Sequence, residues 1–348
     1  LCLSCKGCKA ECPSNVDIAK LKAEFLQQRY NTEGIPWRTR LIASFNSANR
    51  MASRVPGLYN FFISNRLTGG LFKRMAGFAP ERPLPKLNST TLKKWFGEQN
   101  SVQSGGNRVL LFCDEFTNYN DTGIGITAIK LLRQLGYQVE MPKHLESART
   151  LISKGLLKKA QEIAISNVEL LKDQVNEQSP LVGIEPSAIL SFRDEYLALV
   201  PDQLKAAAEK IAANTYTIEE FLCAEMERGA FSNDLFTEEK RLIRLHGHCH
   251  QKAISSVVPT KKLLSLPKNY QVQLIPSGCC GMAGSFGYEK EHYELSMKIG
   301  ELVLFPTIRE AAKEVIIAAP GTSCRHQIMD GTGRKALHPV EVLWEALK

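Results

Sequence analysis

The chain has 348 residues, 44% hydrophobic and 23% charged, with ten cysteines and a formal net charge of +8. That length can bury one large core or two ordinary ones, and no apolar run nears the ~18–20 residues of a membrane span. The cysteines cluster at ligand spacings and lack the density of a secreted disulfide scaffold, so a reducing cytoplasm is expected, with peripheral contact at the inner face of a membrane as an extension.

The chain opens on Cys2-x-x-Cys5-x-x-Cys8-x-x-x-Cys12-Pro13. This is the bacterial ferredoxin spacing, in which three cysteines hold one [4Fe–4S] cluster and the fourth reaches a second. Zinc is the alternative occupant. A two-cluster motif needs a partner run, and these residues contain none. The chain also begins inside the motif, without Met, so residues 1–30 are expected to be the end of a ferredoxin-like domain in a longer polypeptide. Asp17 to Tyr30 reads as a helix leaving it.

Residues 31–107 form the next expected unit, a basic helical arm and linker. Between Ile35 and Phe96 stand eleven Lys or Arg against one acid, Glu81, so the remainder of the chain is slightly acidic. Aromatics such as Trp37, Phe45, Tyr59, Phe61, Phe62, Phe72 and Trp95 interleave with the cations, broken by Pro36, Pro56-Gly57, Gly69-Gly70, Pro80, Pro83 and Pro85. An arm packing on another domain, a surface lying on anionic lipid and a nucleic-acid patch rank in that order, and no nucleic-acid partner is expected. Gln99 to Asn107, rich in Ser, Gly and Gln, reads as a linker.

From Arg108 strands alternate with helices. Strands are expected at Arg108–Cys113, Tyr137–Met141, Leu181–Glu185, Arg241–His246, Tyr270–Ile275 and Val315–Ala318. Helices are expected at Ile124–Leu135, Gly155–Val175 and Glu291–Val303, with a helical interlude from Leu204 to Arg228. Such alternation implies α/β architecture with parallel sheets and right-handed crossovers. It also repeats. Tyr137-Gln138-Val139-Glu140-Met141-Pro142 matches Tyr270-Gln271-Val272-Gln273-Leu274-Ile275-Pro276, which gives a first unit at 108–235 and a second at 236–348. On that register Glu146-Ser147-Ala148 falls at Cys279-Cys280-Gly281. With a three-residue gap on either side, Cys113 aligns with Cys249 and Ala188 with Cys324.

The second unit holds the densest signal, Ser277-Gly278-Cys279-Cys280-Gly281-Met282-Ala283-Gly284. Adjacent cysteines among glycines suit thiolates gathered around a metal or a cluster, because the glycines let backbone N–H groups approach sulfur. Cys249, in His246-Gly247-His248-Cys249-His250, and Cys324, in Gly321-Thr322-Ser323-Cys324-Arg325-His326, follow strand-like runs. Loops at the ends of parallel strands converge, so four sulfurs can meet; both zinc and an iron–sulfur cluster accept four thiolates. Gly123-x-Gly125-x-x-Ala128 imitates a dinucleotide fingerprint but lies too far from the preceding strand. Cys113 and Cys223 read as small buried residues.

These residues resemble the cysteine-rich CCG domain of heterodisulfide reductases, glycolate oxidases, lactate-utilisation proteins and anaerobic glycerol-3-phosphate dehydrogenases. With Leu3-Ser4-Cys5-Lys6-Gly7-Cys8-Lys9-Ala10-Glu11-Cys12-Pro13 ahead of His246-Gly247-His248-Cys249-His250-Gln251-Lys252, the order is similar to the C-terminal half of fused FAD-linked oxidases, the D-2-hydroxyglutarate and D-lactate dehydrogenase types. The resemblance implies two pseudo-repeated parallel-sheet CCG-type units behind a helical arm and a truncated ferredoxin-like motif. It implies Cys249, Cys279, Cys280 and Cys324 as cluster ligands at the CCG site, Cys2, Cys5, Cys8 and Cys12 as ferredoxin ligands, and FAD on an N-terminal domain outside these residues. Where the family's motif ends Cys-x-x-Cys this chain has Gln327, which argues against a five-cysteine cluster. His248, His250, His326 and Arg193 are candidates to surround the metal or touch a substrate.

The expected function is therefore electron transfer, from flavin through [4Fe–4S] clusters to a quinone or other carrier, within an FAD-dependent D-2-hydroxyacid dehydrogenase. No catalytic residue is expected in this chain, which should be inactive without the flavin domain. The alternatives are a zinc-stabilised scaffold without redox chemistry, and a thiol–disulfide enzyme using Cys279 and Cys280.

Overall fold

The computed structural model describes residues 2–99 and 106–348, so most of the expected linker lies outside the described residues. Two parallel sheets follow the arm. β1 (Arg108–Phe112), β2 (Gln138–Glu140), β3 (Leu181–Gly183) and β4 (Thr215–Thr217) stand in the order β2-β1-β3-β4. β5 (Arg241–Leu245), β6 (Tyr270–Leu274) and β7 (Ile316–Ala318) stand in the order β6-β5-β7. In each sheet the first strand is central and takes its two successors on either side, paired parallel. From Val109 to Phe112 β1 is an unbroken, buried apolar run, as a strand covered on both faces must be.

One element departs from expectation. The interlude from Leu204 to Arg228 is two helices, Asp202–Ala213 and Ile218–Glu227, separated by β4. Thr215-Tyr216-Thr217 has the β-branched and aromatic composition of a strand. The Thr217 hydroxyl accepts from Glu220 N–H while the Glu220 carboxylate accepts from Thr217 N–H, a capping box that starts the second helix. Among the described residues the first sheet thus has four strands and the second three.

The sheets share a core. Val109 and Leu111 of β1 pack in one apolar cluster with Ile243 and Leu245 of β5, and with Val340 and Leu343 of the last helix. That shared packing turns the ends of both sheets toward a common centre.

Ahead of the sheets, α1 (Gly7–Glu11) and α2 (Ile18–Glu33) carry the opening cysteines, and α3 (Trp37–Ala43), α4 (Phe45–Ala52), α5 (Pro56–Ser64) and α6 (Arg66–Ala76) form the arm. The arm is fastened to the second unit by Arg82, which is fully buried. Its guanidinium donates to Gly287 O at 2.8 Å, Asp330 at 2.7 Å, Ser296 Oγ at 2.9 Å and Gln327 Oε1 at 2.5 Å. The outer side is different. Val55, Leu58, Phe61, Leu67, Leu71 and Met75 are exposed among Arg54, Arg66 and Arg74.

Candidate metal centre

Each cysteine of the second unit sits just past a strand. Cys249 opens the helix Cys249–Ile254, whose N-cap His248 accepts from His250 N–H; Cys279 and Cys280 lie in the loop after β6; Cys324 is in the first turn of Thr322–Thr332. Gly281 makes the loop feasible. Its φ is +96°, and a Cβ there would lie 2.2 Å from Ser296 O. Lys252 Nζ donates to Ser277 O at 2.6 Å and pins the loop from the other side.

The four thiols form a chain of contacts. Cys280 and Cys324 lie within 4.8 Å of each other at His246, and Cys279 is close enough to Cys249 and Cys280 to shift their ionisation. Cys5, from the opening motif, shares a cavity wall with Cys249, Cys280 and Cys324. The bond to Cys279 and then burial push the Cys5 thiol far up, and the same two causes raise Cys249. In Cys280 the bond with Cys279 pulls down, but the bond with Cys324 and burial outweigh it. Thiols as reluctant to ionise as those of Cys5, Cys249, Cys280 and Cys324 are unfavourable as bare thiolates and favourable once a cation neutralises them. The donor set fits a thiophilic metal or an iron–sulfur cluster. Gly281 N–H, 3.4 Å from Cys279 Sγ, adds the N–H···S contact such groups use.

His246 belongs to the same group, although its residue pattern alone does not single it out. One of its ring nitrogens lies within 4.8 Å of the sulfurs of Cys280 and Cys324. Nδ1 is 2.8 Å from Ser277 Oγ, while Nε2 has no partner among the described residues. Burial pushes the imidazole down to about 3, so it is neutral at physiological pH. Its place at the end of β5, three residues before Cys249, was the available signal.

The other candidates distribute as follows. His248 lies 3.8 Å from Glu185, and Glu185 accepts from Thr322 N–H at 2.8 Å, so the first unit reaches into the second unit's site. Both nitrogens of buried His250 lack partners among the described residues. His326 Nδ1 is 3.1 Å from the Tyr288 hydroxyl. Arg193 is elsewhere, paired with Glu220 at 2.9 Å. Gln327, at the family's fifth cysteine position, accepts from Arg82 and donates to Ser296 O at 2.9 Å, which makes it part of the arm's anchorage.

In the opening motif, tight turns put Ser4, Lys6 and Asn15 at φ of 57°, 61° and 56°. Cys2 Sγ accepts from Ser4 N–H at 3.4 Å. N–H groups of Val16 and Ser14 pull the Cys12 thiol down, and Cys8 is exposed. The motif is clamped to the first unit by Lys6, whose side chain is 1% exposed and whose Nζ lies 2.7 Å from Asp17 and Asp194 and 3.2 Å from Glu195.

The first unit keeps the frame without the sulfurs. Ala148, with φ 58°, adopts the left-handed conformation that Gly281 adopts in the second unit. Measured from the helix starts, Ala188 stands where Cys324 does, each three residues past its N-cap. The equivalent of Cys249 is Glu115, the first residue of its helix, which corrects the alignment with Cys113. Cys113 instead directly follows β1, as His246 follows β5. Ser147 donates to Glu115 through N–H at 2.9 Å and Oγ at 2.8 Å, so a carboxylate–hydroxyl pair closes the space that thiols line in the second unit. Gly125 also has a packing reason, since a Cβ there would meet Leu92 at 2.4 Å.

Comparison with known proteins agrees with this geometry. The chain is 26% identical over 359 residues to D-2-hydroxyglutarate dehydrogenase of Escherichia coli (strain K12), with 100% of this chain and 34% of that protein covered. It is 26% identical over 338 residues to one subunit of the anaerobic glycerol-3-phosphate dehydrogenase of the same organism, with 96% and 83% covered. A probable glycolate oxidase iron-sulfur subunit of Bacillus subtilis (strain 168) is 23% identical over 381 residues, with 99% and 82% covered. The chain is similar to the iron–sulfur parts of these oxidoreductases. It spans about a third of the length of the D-2-hydroxyglutarate dehydrogenases it matches. No family model and no solved structure matches it. Among the described residues no helix is long and apolar enough to cross a membrane.

Proposed function

We propose that this chain is the electron-transfer half of a flavin-dependent D-2-hydroxyacid dehydrogenase, working with an FAD-binding domain of the same longer polypeptide in the cytoplasm. One observation carries the reading: two cysteine motifs far apart in the chain lie together, with Cys5 lining the same cavity as Cys249, Cys280 and Cys324 and α1 packed on the helix that Cys249 opens. Such proximity puts two sulfur-ligated groups within electron-transfer reach of each other, which separate structural zinc sites would not need. Cys249, Cys279, Cys280 and Cys324 would hold one group, and Cys2, Cys5, Cys8 and Cys12 are the ligands available to the opening motif.

When bound, iron–sulfur clusters accept and release single electrons, the chemistry needed between a two-electron flavin and a carrier. The residues around them exclude water and set the local field. Cys280 and Cys324 are buried, His246 is held neutral, and the N–H of Gly281 points at Cys279 sulfur. The acceptor is a quinone or another carrier. The exposed apolar and cationic outer side of α5 and α6 supports peripheral contact with an anionic bilayer, since such faces bury apolar side chains among headgroups while Arg meets phosphate. Without its flavin domain the chain should not oxidise a hydroxyacid.

Anaerobic reconstitution with iron and sulfide tests this. The expected result is about one cluster at the CCG site, with substoichiometric iron at the opening motif, read by iron and sulfide assay and low-temperature EPR. Zinc at unit stoichiometry with no iron would overturn it in favour of a structural metal.

A further inference from the structure

A carboxylic acid lies buried between the two units without a partner. Glu219, in the first turn of the helix Ile218–Glu227, is fully removed from water, and neither carboxyl oxygen makes a hydrogen bond of normal geometry among the described residues. The second unit faces it with His338, the equally buried residue that caps the last helix, Pro339–Ala346. His338 Nδ1 accepts from Val340 N–H at 3.2 Å, which leaves the ring proton on Nε2. Nε2 lies 3.3 Å from Ile184 O, just past β3, and 3.6 Å from Glu219 Oε1.

An ionised carboxylate that accepts no hydrogen bond is not stable in such surroundings, so the geometry by itself calls for the neutral acid. Burial pushes the Glu219 carboxyl up to about 7; its own N–H and the Thr217 hydroxyl pull the other way, and Glu220 and Glu185 add to the rise. His338 does not compete for the proton. Burial, then the charge of Arg325, pushes its imidazole down to about 3, with Ile184 O and Asp121 opposing. The pair thus holds one exchangeable proton near neutral pH, on Glu219.

The pair also adjoins the cysteine site. Glu185, the residue after Ile184, accepts from Thr322 N–H at 2.8 Å, and Thr322 opens the helix that carries Cys324. The charge of Glu185 acts on both Glu219 and Cys324. We infer that Glu219 is a proton site linked to the electron held at the cysteine site: an electron arriving there draws a proton onto Glu219, and its departure releases that proton. One electron, supplied by the reduced flavin, is matched by one proton from solvent, which forms an O–H bond on Glu219; no bond within the protein breaks, and both leave on reoxidation. The charge added to a water-poor region is thereby compensated within it. Sealed groups exchange protons through brief local openings. The linkage rests on the electron-transfer reading above, whereas the proton site rests on Glu219 and His338.

The test compares the full chain with Glu219→Gln, which copies the neutral acid in shape, and with Glu219→Met, which strands no polar atom. Without iron, urea unfolding is followed from pH 5 to 8. A carboxyl raised above its unfolded value near 4.5 contributes stability that is present at low pH and lost as pH rises through the folded value. The wild-type unfolding constant, relative to either variant's, should therefore grow about fiftyfold between pH 5 and 8, with most of the rise below about 7. Asp114 and Glu146 are also raised, to about 8 and about 7, but they titrate alike in all three proteins and cancel in the ratio. After reconstitution with iron and sulfide, the reduced fraction at a fixed mediator potential is read by EPR from pH 6 to 8. It should rise on acidification in the wild type, by up to about tenfold in the ratio of reduced to oxidised protein per pH unit, and lose most of that dependence in both variants. Equal unfolding profiles in the three proteins, or a redox dependence that the variants keep, overturns the inference while leaving electron transfer intact. A protein that takes up no iron overturns the electron-transfer reading and the linkage together, and the unfolding profiles still decide the proton site.

Discussion

Replacing Lys6 with Met should release the opening cysteine motif from the body of the protein. Lys6 Nζ is the shared cation of three carboxylates, Asp17, Asp194 and Glu195, and is almost wholly removed from water. Breaking a buried ion pair by deleting one partner costs about 3–5 kcal/mol, because the remaining charge is stranded. Here the loss is partly covered. Asp194 keeps Lys9 at 2.9 Å and Lys20 at 2.6 Å, and Glu195 keeps Arg149. Glu195 Oε2, however, already lacks a hydrogen bond among the described residues. The low end of the range, about 3 kcal/mol, is therefore expected. Urea unfolding of the variant measures it. The pH dependence carries a second signature. Burial alone would lift Asp194, but bonds from Lys20, Lys6 and Lys9 overcome it and hold the carboxyl far below its usual value. A depressed carboxyl contributes stability that is present above the unfolded value near 4 and is lost as pH falls further. The deficit of Lys6→Met should accordingly be constant from pH 7 to 5 and shrink below about 4. A deficit under about 1 kcal/mol, or one that grows on acidification, would refute the clamp.

Other expectations follow from the same geometry. Cys280→Ser should abolish the cluster of the second unit, because a serine hydroxyl resists deprotonation and is a harder ligand, whereas Cys113→Ser should keep it; iron content and EPR of the pair decide, and loss in both would mean that the units share one site. Arg82→Met should cost about 3–5 kcal/mol in chemical denaturation and loosen the arm, since Asp330, Gln327 and Ser296 lose their common donor; protease resistance of residues 35–80 equal to wild type would contradict this. Ala148→Gly should be neutral or stabilising by up to about 1 kcal/mol, because only glycine enters the left-handed region without strain, and a marked loss in thermal unfolding would show that the turn is held by something else.

Local pattern alone made much of this protein legible. Cysteine spacings are covalent facts, and they named the ligand candidates before any folding was considered. The apolar run Val109–Phe112 and the alternating Arg241-Leu242-Ile243-Arg244-Leu245 announced strands, and the recurrence after Tyr137 and Tyr270 announced two related units. β4 was missed because three residues between two good helical segments carry little periodic signal, although Thr-Tyr-Thr is strand-like in composition.

What the sequence could not contain is which distant groups meet. Cys5 comes beside Cys249, Cys280 and Cys324, Glu185 bonds Thr322, and Lys6 draws together Asp17, Asp194 and Glu195 through packing between elements far apart in the chain. No residue pattern within either element records those pairings. The cavity is decided the same way. Apolar residues of the arm read equally well as core or as surface; in the fold Ile42 and Phe45 share a cavity wall with the cysteines, whereas Leu58 and Phe61 are exposed.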